Sequence, residues 1–215
     1  MISARTRARM VERLRSQGIQ NELVLAAMNK VPRHLFVEEA LASRAYDDCA
    51  LPIGFGQTLS HPYTVARFLS LAMPATGEKL GSVLDVGSGC GYQSVVLAEL
   101  AREVYAIERI SGLVDRSRKM FRELKLEGRI KVRYGDGALG WLMMAPFDAI
   151  ILAAASTEVP EPLKQQLKIG GRLLIPFVDS VTRQQTLRLI ERSPQGFYEQ
   201  RLDAVNFVPF LSGIR

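Results

Sequence analysis

The run Asp85-Val86-Gly87-Ser88-Gly89-Cys90-Gly91, placed after an apolar stretch at 82–86 and ahead of a helical pattern at 93–101, constrains the chain more than any other feature. Glycines in alternate positions after a short hydrophobic run make a strand-to-helix turn that a ligand can approach closely, because each missing Cβ removes a clash. The alternation then repeats. Strand patterns follow at 104–107, closing on Glu108, and at 130–134, 147–153 and 172–176; helical patterns lie at 113–126 and 163–167, the last stopped by Gly170 and Gly171. Continuous apolar strands separated by helices predict an α/β fold, a doubly wound, mostly parallel sheet with helices on both faces. Residues 185–191 and 204–210 read as late strands added antiparallel at a sheet edge.

The N-terminal part reads as helical. Met10 and Leu14 recur at helical spacing until Gly18, and Asn21 caps a short helix carrying Leu23, Val24, Ala27 and Met28 that must stop before Pro32. From 47 to 62 the prolines and glycines stand too close together for regular structure, yet Leu51, Ile53, Phe55 and Leu59 are apolar. A long loop of that kind is a functional loop more often than a connection. Val65, Phe68, Leu69 and Ala72 then mark a helix ending near Pro74. With 215 residues and no repeat or linker, one domain is expected: 1–76 as a helical part with a covering loop, and 77–215 as a cofactor-binding α/β core with C-terminal strands.

Charge and cysteine content narrow the classes. No run approaches the roughly 20 apolar residues of a membrane span, and Arg5, Arg7 and Arg9 are not followed by a secretory core, so a cytoplasmic protein without membrane contact is expected. Cys49 and Cys90 form no metal-ligand spacing, and no metal is expected. Twenty-eight Lys and Arg against twenty-two Asp and Glu give +6, a field that favours anionic partners, nucleic acid and carboxylate-bearing peptides alike.

The loop itself excludes two ligand classes. A dinucleotide fingerprint needs glycine in the sixth position, where Tyr92 stands, and no Gly-Lys-Ser/Thr follows to make a P-loop. Asp85 before the turn can accept from a ligand amine, Glu108 can accept both ribose hydroxyls, and Asp136 with Gly137 can take an adenine amino group and let the ring lie flat. Carboxylates in that row repel pyrophosphate and attract a cationic sulfonium, which points to S-adenosylmethionine.

The segments Ala45-Tyr46-Asp47-Asp48 and Leu51-Pro52-Ile53-Gly54-Phe55-Gly56-Gln57-Thr58-Leu59-Ser60 resemble the signature region of the protein-L-isoaspartate O-methyltransferases. Pro32-Arg33-His34-Leu35-Phe36-Val37 and Phe207-Val208-Pro209-Phe210 are similar to the same family's N-terminal and C-terminal motifs, so the likeness spans nearly the whole chain. The resemblance implies a Rossmann-like methyltransferase fold and methylation of the free carboxylate of L-isoaspartyl residues in damaged proteins and peptides. It also implies that Gln57, Thr58, Leu59 and Ser60 fold over cofactor and substrate, with Ser60 as the active-site residue. The implied cofactor contacts are Asp85, Gly87, Ser88, Gly89, Gly91, Glu108, Asp136, Gly137 and Gln185. Substrate contacts are expected at Ile53, Gly54 and Ser60 and along an exposed edge at Val205, Asn206, Phe207 and Val208. Phe55 stands where many members have histidine, Phe210 where leucine is usual, and 176–179 departs from a more common Pro-Val-Gly.

The chemistry so implied needs no general base, since a carboxylic acid with a pKa of about 4 is ionised at neutral pH. Ser60 would orient it; His61 beside it makes no Ser-His hydrolase, because no GxSxG elbow is present. His34 is expected to be a structural hydrogen-bond partner and Trp141 a core or pocket-wall residue. Two rivals stand beside this reading. A nucleic-acid methyltransferase is encouraged by the charge, but Leu152-Ala153-Ala154-Ala155-Ser156 replaces an Asn/Asp-Pro-Pro-aromatic motif and neither cysteine follows proline. A non-catalytic cofactor-binding adaptor would share the pocket but has no need of the 57–60 segment. A monomer acting on isoaspartyl proteins and peptides, without nucleic acid, is expected.

Overall fold

The computed structural model describes residues 4–215. Helix α1 (Ala4–Ser16) buries Met10, Val11 and Leu14 and ends ahead of Gly18; α2 (Glu22–Lys30) begins where the Asn21 side chain accepts from Val24 N at 3.1 Å and stops before Pro32. Both ends follow the capping chemistry of the sequence.

The stretch 47–62 departs from the expected structureless loop. It holds a two-stranded antiparallel hairpin, β1 (Leu51–Gly54) and β2 (Gln57–Leu59). Gly54, Phe55 and Gly56 all have positive φ, so the glycines read as breakers make a tight turn, while Leu51 and Ile53 alternate inward on a period of two. The chain then enters α3 (Pro62–Ala72), with proline in its first turn where no N–H is needed.

Beyond α3 come β3 (Leu80–Val86), α4 (Tyr92–Leu100), β4 (Ala101–Glu108), α5 (Ser111–Glu123), β5 (Ile130–Tyr134), β6 (Phe147–Leu152), α6 (Glu161–Gln165), β7 (Leu167–Val178), β8 (Gln185–Ser193) and β9 (Gly196–Ala204). One seven-stranded sheet runs β5-β4-β3-β6-β7-β8-β9, parallel through β7 and antiparallel after it. Alternate side chains build two cores. Val83, Val104, Ile151 and Leu174 join the layer of α1 to α5, whereas Leu84, Ile107, Ile150 and Leu173 face the opposite layer. Each fully buried aliphatic side chain of this kind contributes roughly 1.5–3 kcal/mol. The second face is more thinly covered than expected: α6 and two 3-10 turns, Gly137–Leu139 and Leu142–Met144, stand where longer helices would lie.

Two late elements differ from the sequence expectation. The helix at 163–167 is only α6, and the Gly170-Gly171 pair lies inside β7 rather than stopping a helix. A Cβ on Gly171 would meet Lys168 O and Phe147 O at 2.8 Å, so close backbone approach at an irregular pairing explains the glycine. The last strand is β9, not 204–210. A turn at 193–196 closes the β8–β9 hairpin, and residues 205–215 instead form a strap over the ends of the strands, where Phe207 packs on Phe68 at 5.3 Å. The outer strand β9 is exposed along most of its length and carries Glu199, Arg201 and Asp203.

Candidate active site

The strand order reverses at β3, whose neighbours are β4 on one side and β6 on the other, and in open α/β sheets the ligand crevice lies at such a switch, beyond the carboxyl ends of the strands. A cleft of ≈ 920 Å³, mouth included, opens there. Its cover is the hairpin and its exit, with Ile53, Gln57, Thr58, Leu59 and Ser60; its floor is Gly87, Ser88 and Gly89; Glu108 and Gly137 close its far side and Val208 comes from the strap. These eleven expected residues share one space.

The glycine loop is held from the second strand. Gly87 N and Ser88 N donate to Ile107 O at 2.8 and 3.2 Å, and Glu108 accepts from Gly89 N through Oε2 and from Ile110 N through Oε1, both at 2.9 Å. Glu108 is 4% exposed, and each carboxylate oxygen keeps a second lone pair for a ligand hydroxyl. Ser88 Oγ is buried without a protein partner, a polar atom aimed at nothing in the chain. A Cβ on Gly137 would strike Val86 Cγ1 at 2.5 Å and crowd the Phe210 ring, so only glycine leaves a flat apolar slot at that strand end. Together these features fit a nucleoside with a polar tail.

The other expected residues lie behind or beside the cleft. Asp85 is fully buried, and its oxygens accept from Gln93 Nε2 at 2.8 Å and Ser94 Oγ at 2.5 Å; Gln93, not Asp85, borders the space. Gly91 caps α4 in the left-handed conformation. Asp136 accepts from Ala138 N and, across 77 residues, from Gly213 N at 2.6 Å, which ties the strap to the third parallel strand's end. Gln185 exchanges hydrogen bonds with the backbone of Phe207, donating from Nε2 at 3.1 Å and accepting at Oε1 at 2.7 Å. It anchors the strap rather than lining the cleft. Gly54 is at the hairpin turn, and Val205 and Asn206 border a separate shallow groove with Asp48, His61 and Arg67. His34 Nδ1 lies 2.7 Å from Tyr46 Oη, and Trp141 packs edge-on against Tyr105 at 5.6 Å on the rim of the second core.

Burial pushes the Asp85 carboxyl up to about 6, against the pull of Ser94 and Gln93 and with help from the Glu108 charge. A folded-state pKa above the unfolded value means that the protonated form is the more compatible one. Its stabilising contribution is full below about 3.8 and is lost as pH rises through about 6. Asp85→Asn is therefore expected to raise the thermal midpoint at pH 7.5, by a free energy on the order of 2 kcal/mol, and to lose that advantage near pH 4. An equal gain at both pH values, read by calorimetry, would contradict this account.

Reading the sequence missed several cleft residues. Gln93, Arg109, Ile110, Ala153, Ala154, Phe210 and Leu211 all border it. Ala153 and Ala154 carry one usable signal, small residues straight after a parallel strand. Arg116 on α5 was also missed; it donates to Ile53 O at 3.1 Å and Phe36 O at 3.2 Å, and so ties the hairpin to α5.

Comparison with known proteins agrees with this geometry. Residues 5–215 match the family described as protein-L-isoaspartate(D-aspartate) O-methyltransferase. The protein-L-isoaspartate O-methyltransferase of Dechloromonas aromatica (strain RCB) is 53% identical over 213 residues, 99% of this chain and 96% of its own. That of Azoarcus sp. (strain BH72) is 55% identical over 211 residues, 98% and 95%. A Plasmodium falciparum protein described as a protein-L-isoaspartate O-methyltransferase, solved in complex with S-adenosyl-L-homocysteine, superposes with a TM-score of 0.79 at 26% identity over 95% of this chain and 98% of its own. Another solved protein-L-isoaspartate O-methyltransferase gives a TM-score of 0.85 at 24% identity, covering 94% of this chain and 65% of that one, so this chain spans just under two thirds of its length. A glycine loop held by Glu108, a serine-ended hairpin facing it and whole-length identity above one half meet in one molecule; the chain belongs to the protein-L-isoaspartate O-methyltransferase family.

Proposed function

We propose that this protein transfers a methyl group from S-adenosylmethionine to the free carboxylate of L-isoaspartyl residues in damaged proteins and peptides. The observation that carries the reading is that Ser60, at the hairpin exit, and the Glu108-held glycine loop border the same cleft. When bound there, S-adenosylmethionine supplies an electrophilic methyl group. Glu108 would accept from the ribose hydroxyls with the lone pairs not used by Gly89 and Ile110, Ser88 Oγ would find a polar partner in the amino-acid tail, and Gly137 with Phe210 would leave room for the purine. Asp85 acts from behind, through Gln93, and Asp136, Gln185 and Gly91 act by holding the strap and the helix start.

On the acceptor side the hairpin, with Ile53 and Gln57 to Ser60, covers the cleft and would exclude water, and the Ser60 hydroxyl would donate to the substrate carboxylate and orient it. Transfer converts an anion and a cation to a neutral ester and thioether, so no proton needs a base. Holding the reacting atoms in line is worth roughly 7 kcal/mol or more. The peptide runs from Ser60 toward the groove of Val205 and Asn206, with Phe207 and Val208 at its edge and Gly54 at the hairpin tip. Up to residue 76 the described chain is a helical part with the covering loop, and 77–215 is the cofactor-binding core of the same domain, working as a monomer. Both cysteines are unpaired, which suits the reducing cytoplasm.

The test is methyl transfer from labelled cofactor to matched peptides with isomerised or normal aspartate. Labelling confined to the isomerised peptide is expected; equal labelling, or none, rejects the assignment. In the same assay Ser60→Ala is expected to lose about 10- to 100-fold in kcat, the loss of one hydrogen bond to a charged group, while cofactor affinity stays unchanged. Full turnover by that variant would remove the serine's role alone.

A further inference from the structure

Arg33 lies in the 3-10 turn after α2 and has no solvent exposure. Its Nε donates to Ala45 O at 2.7 Å, its Nη2 donates to Ser60 O at 2.5 Å, and its Cζ stands 4.8 Å from the centroid of the Tyr92 ring. Ala45 precedes the β1–β2 hairpin and Ser60 follows it, so one planar group ties both ends of the cover. Tyr92 opens α4, directly after the glycine loop, and borders the cleft. The guanidinium therefore touches the acceptor half and the cofactor half of the site at once.

A structural filler has no need of this residue. Among the described residues the Arg33 charge is met by no carboxylate; carbonyl dipoles and the Tyr92 side chain surround it, and Nη1 makes no well-formed hydrogen bond. Burying a cation on those terms is costly, and an apolar side chain of similar length would fill the volume at less expense. What arginine alone supplies is a rigid fork that donates in two directions within its plane while stacking through its face.

We propose that Arg33 is a positioning residue for methyl transfer, fixing the Ser60 carbonyl relative to the Tyr92 ring so that the acceptor-side hydroxyl and the cofactor-bearing loop keep one separation. The proposal rests on the assignment of Ser60 to the acceptor carboxylate. A lysine ammonium keeps the charge but cannot span both carbonyls and the ring, and a displacement of about 1 Å at a reacting centre is enough to cost on the order of 100-fold.

The experiment is a double-mutant cycle on the full chain with S-adenosylmethionine and an isoaspartyl peptide. Arg33→Lys, Ser60→Ala and the double variant are compared for kcat, for S-adenosylhomocysteine Kd by calorimetry and for thermal midpoint. Arg33→Lys is expected to lower kcat at least tenfold with Kd within threefold of the parent, and the double variant to be no slower than the slower single variant within threefold, because the two losses are one loss. Full kcat in Arg33→Lys, multiplicative losses in the double variant, or kcat, Kd and folding lost together each overturn the proposal; failure of Arg33→Lys to fold does so as well. Full activity of Ser60→Ala instead identifies the serine assignment as the part that failed.

Discussion

Glu108→Ala is expected to weaken S-adenosylhomocysteine binding by at least about 100-fold, which corresponds to roughly 2.7 kcal/mol. The carboxylate serves two masters. It accepts from Gly89 N in the glycine loop and from Ile110 N at the start of α5, and in the proposed reading it is also the acceptor left for the ribose. Removing it strands two backbone donors where Glu108 was 4% exposed, and each orphan costs about 1–3 kcal/mol even before the ligand is considered. Glu108→Gln retains one acceptor oxygen but turns an amide N–H₂ toward one of those donors, so about a tenfold loss is expected for it. Calorimetric titration of both variants checks the order. Binding of Glu108→Ala within threefold of the parent would show that this carboxylate is no part of the nucleoside site.

Gly91→Ala is expected to give the largest loss of stability, about 3 kcal/mol, or roughly 10 °C in midpoint for a chain of this size. Gly91 has φ +86°, where a Cβ costs roughly 1–2 kcal/mol. That Cβ would lie 2.7 Å from Cε1 and Cζ of Phe121 and 3.2 Å from Cβ of Ser117, on buried faces of α5 with no room to yield. The third glycine of the loop thus serves helix packing more than ligand approach. A variant that melts within 2 °C of the parent, on the order of 0.5 kcal/mol, would refute the overlap.

The parallel strands were legible because their apolar runs are continuous, and the start of α2 because Asn21 carries local capping chemistry that needs no tertiary context. Glu108 could be placed because a strand's last residue has a fixed address in this fold, and Gly137 because it follows within three residues of the end of β5. The hairpin was hidden because glycine marks both the absence of regular structure and the tightest turn within it. The strap at 205–215 has no period to read, being held by single contacts such as Asp136 to Gly213 N and Gln185 to Phe207. Whether Asp85 faced ligand or interior depended on Gln93 and Ser94 in the first turn of α4, across the glycine loop. Arg33 was the hardest, since its partners are carbonyls 12 and 27 residues off, and every residue offers a carbonyl.

A protein that acts on isoaspartyl proteins must meet other polypeptides without offering them a strand to pair with. Its own sheet has two open margins, β5 and β9. Lys131 and Arg133 stud the first, and Glu199, Arg201 and Asp203 the second. Charges along a margin discourage a foreign strand from docking there, because pairing would take them and their ion-pair partners out of water. Loose segments are thus discouraged from templated pairing along either edge of the sheet.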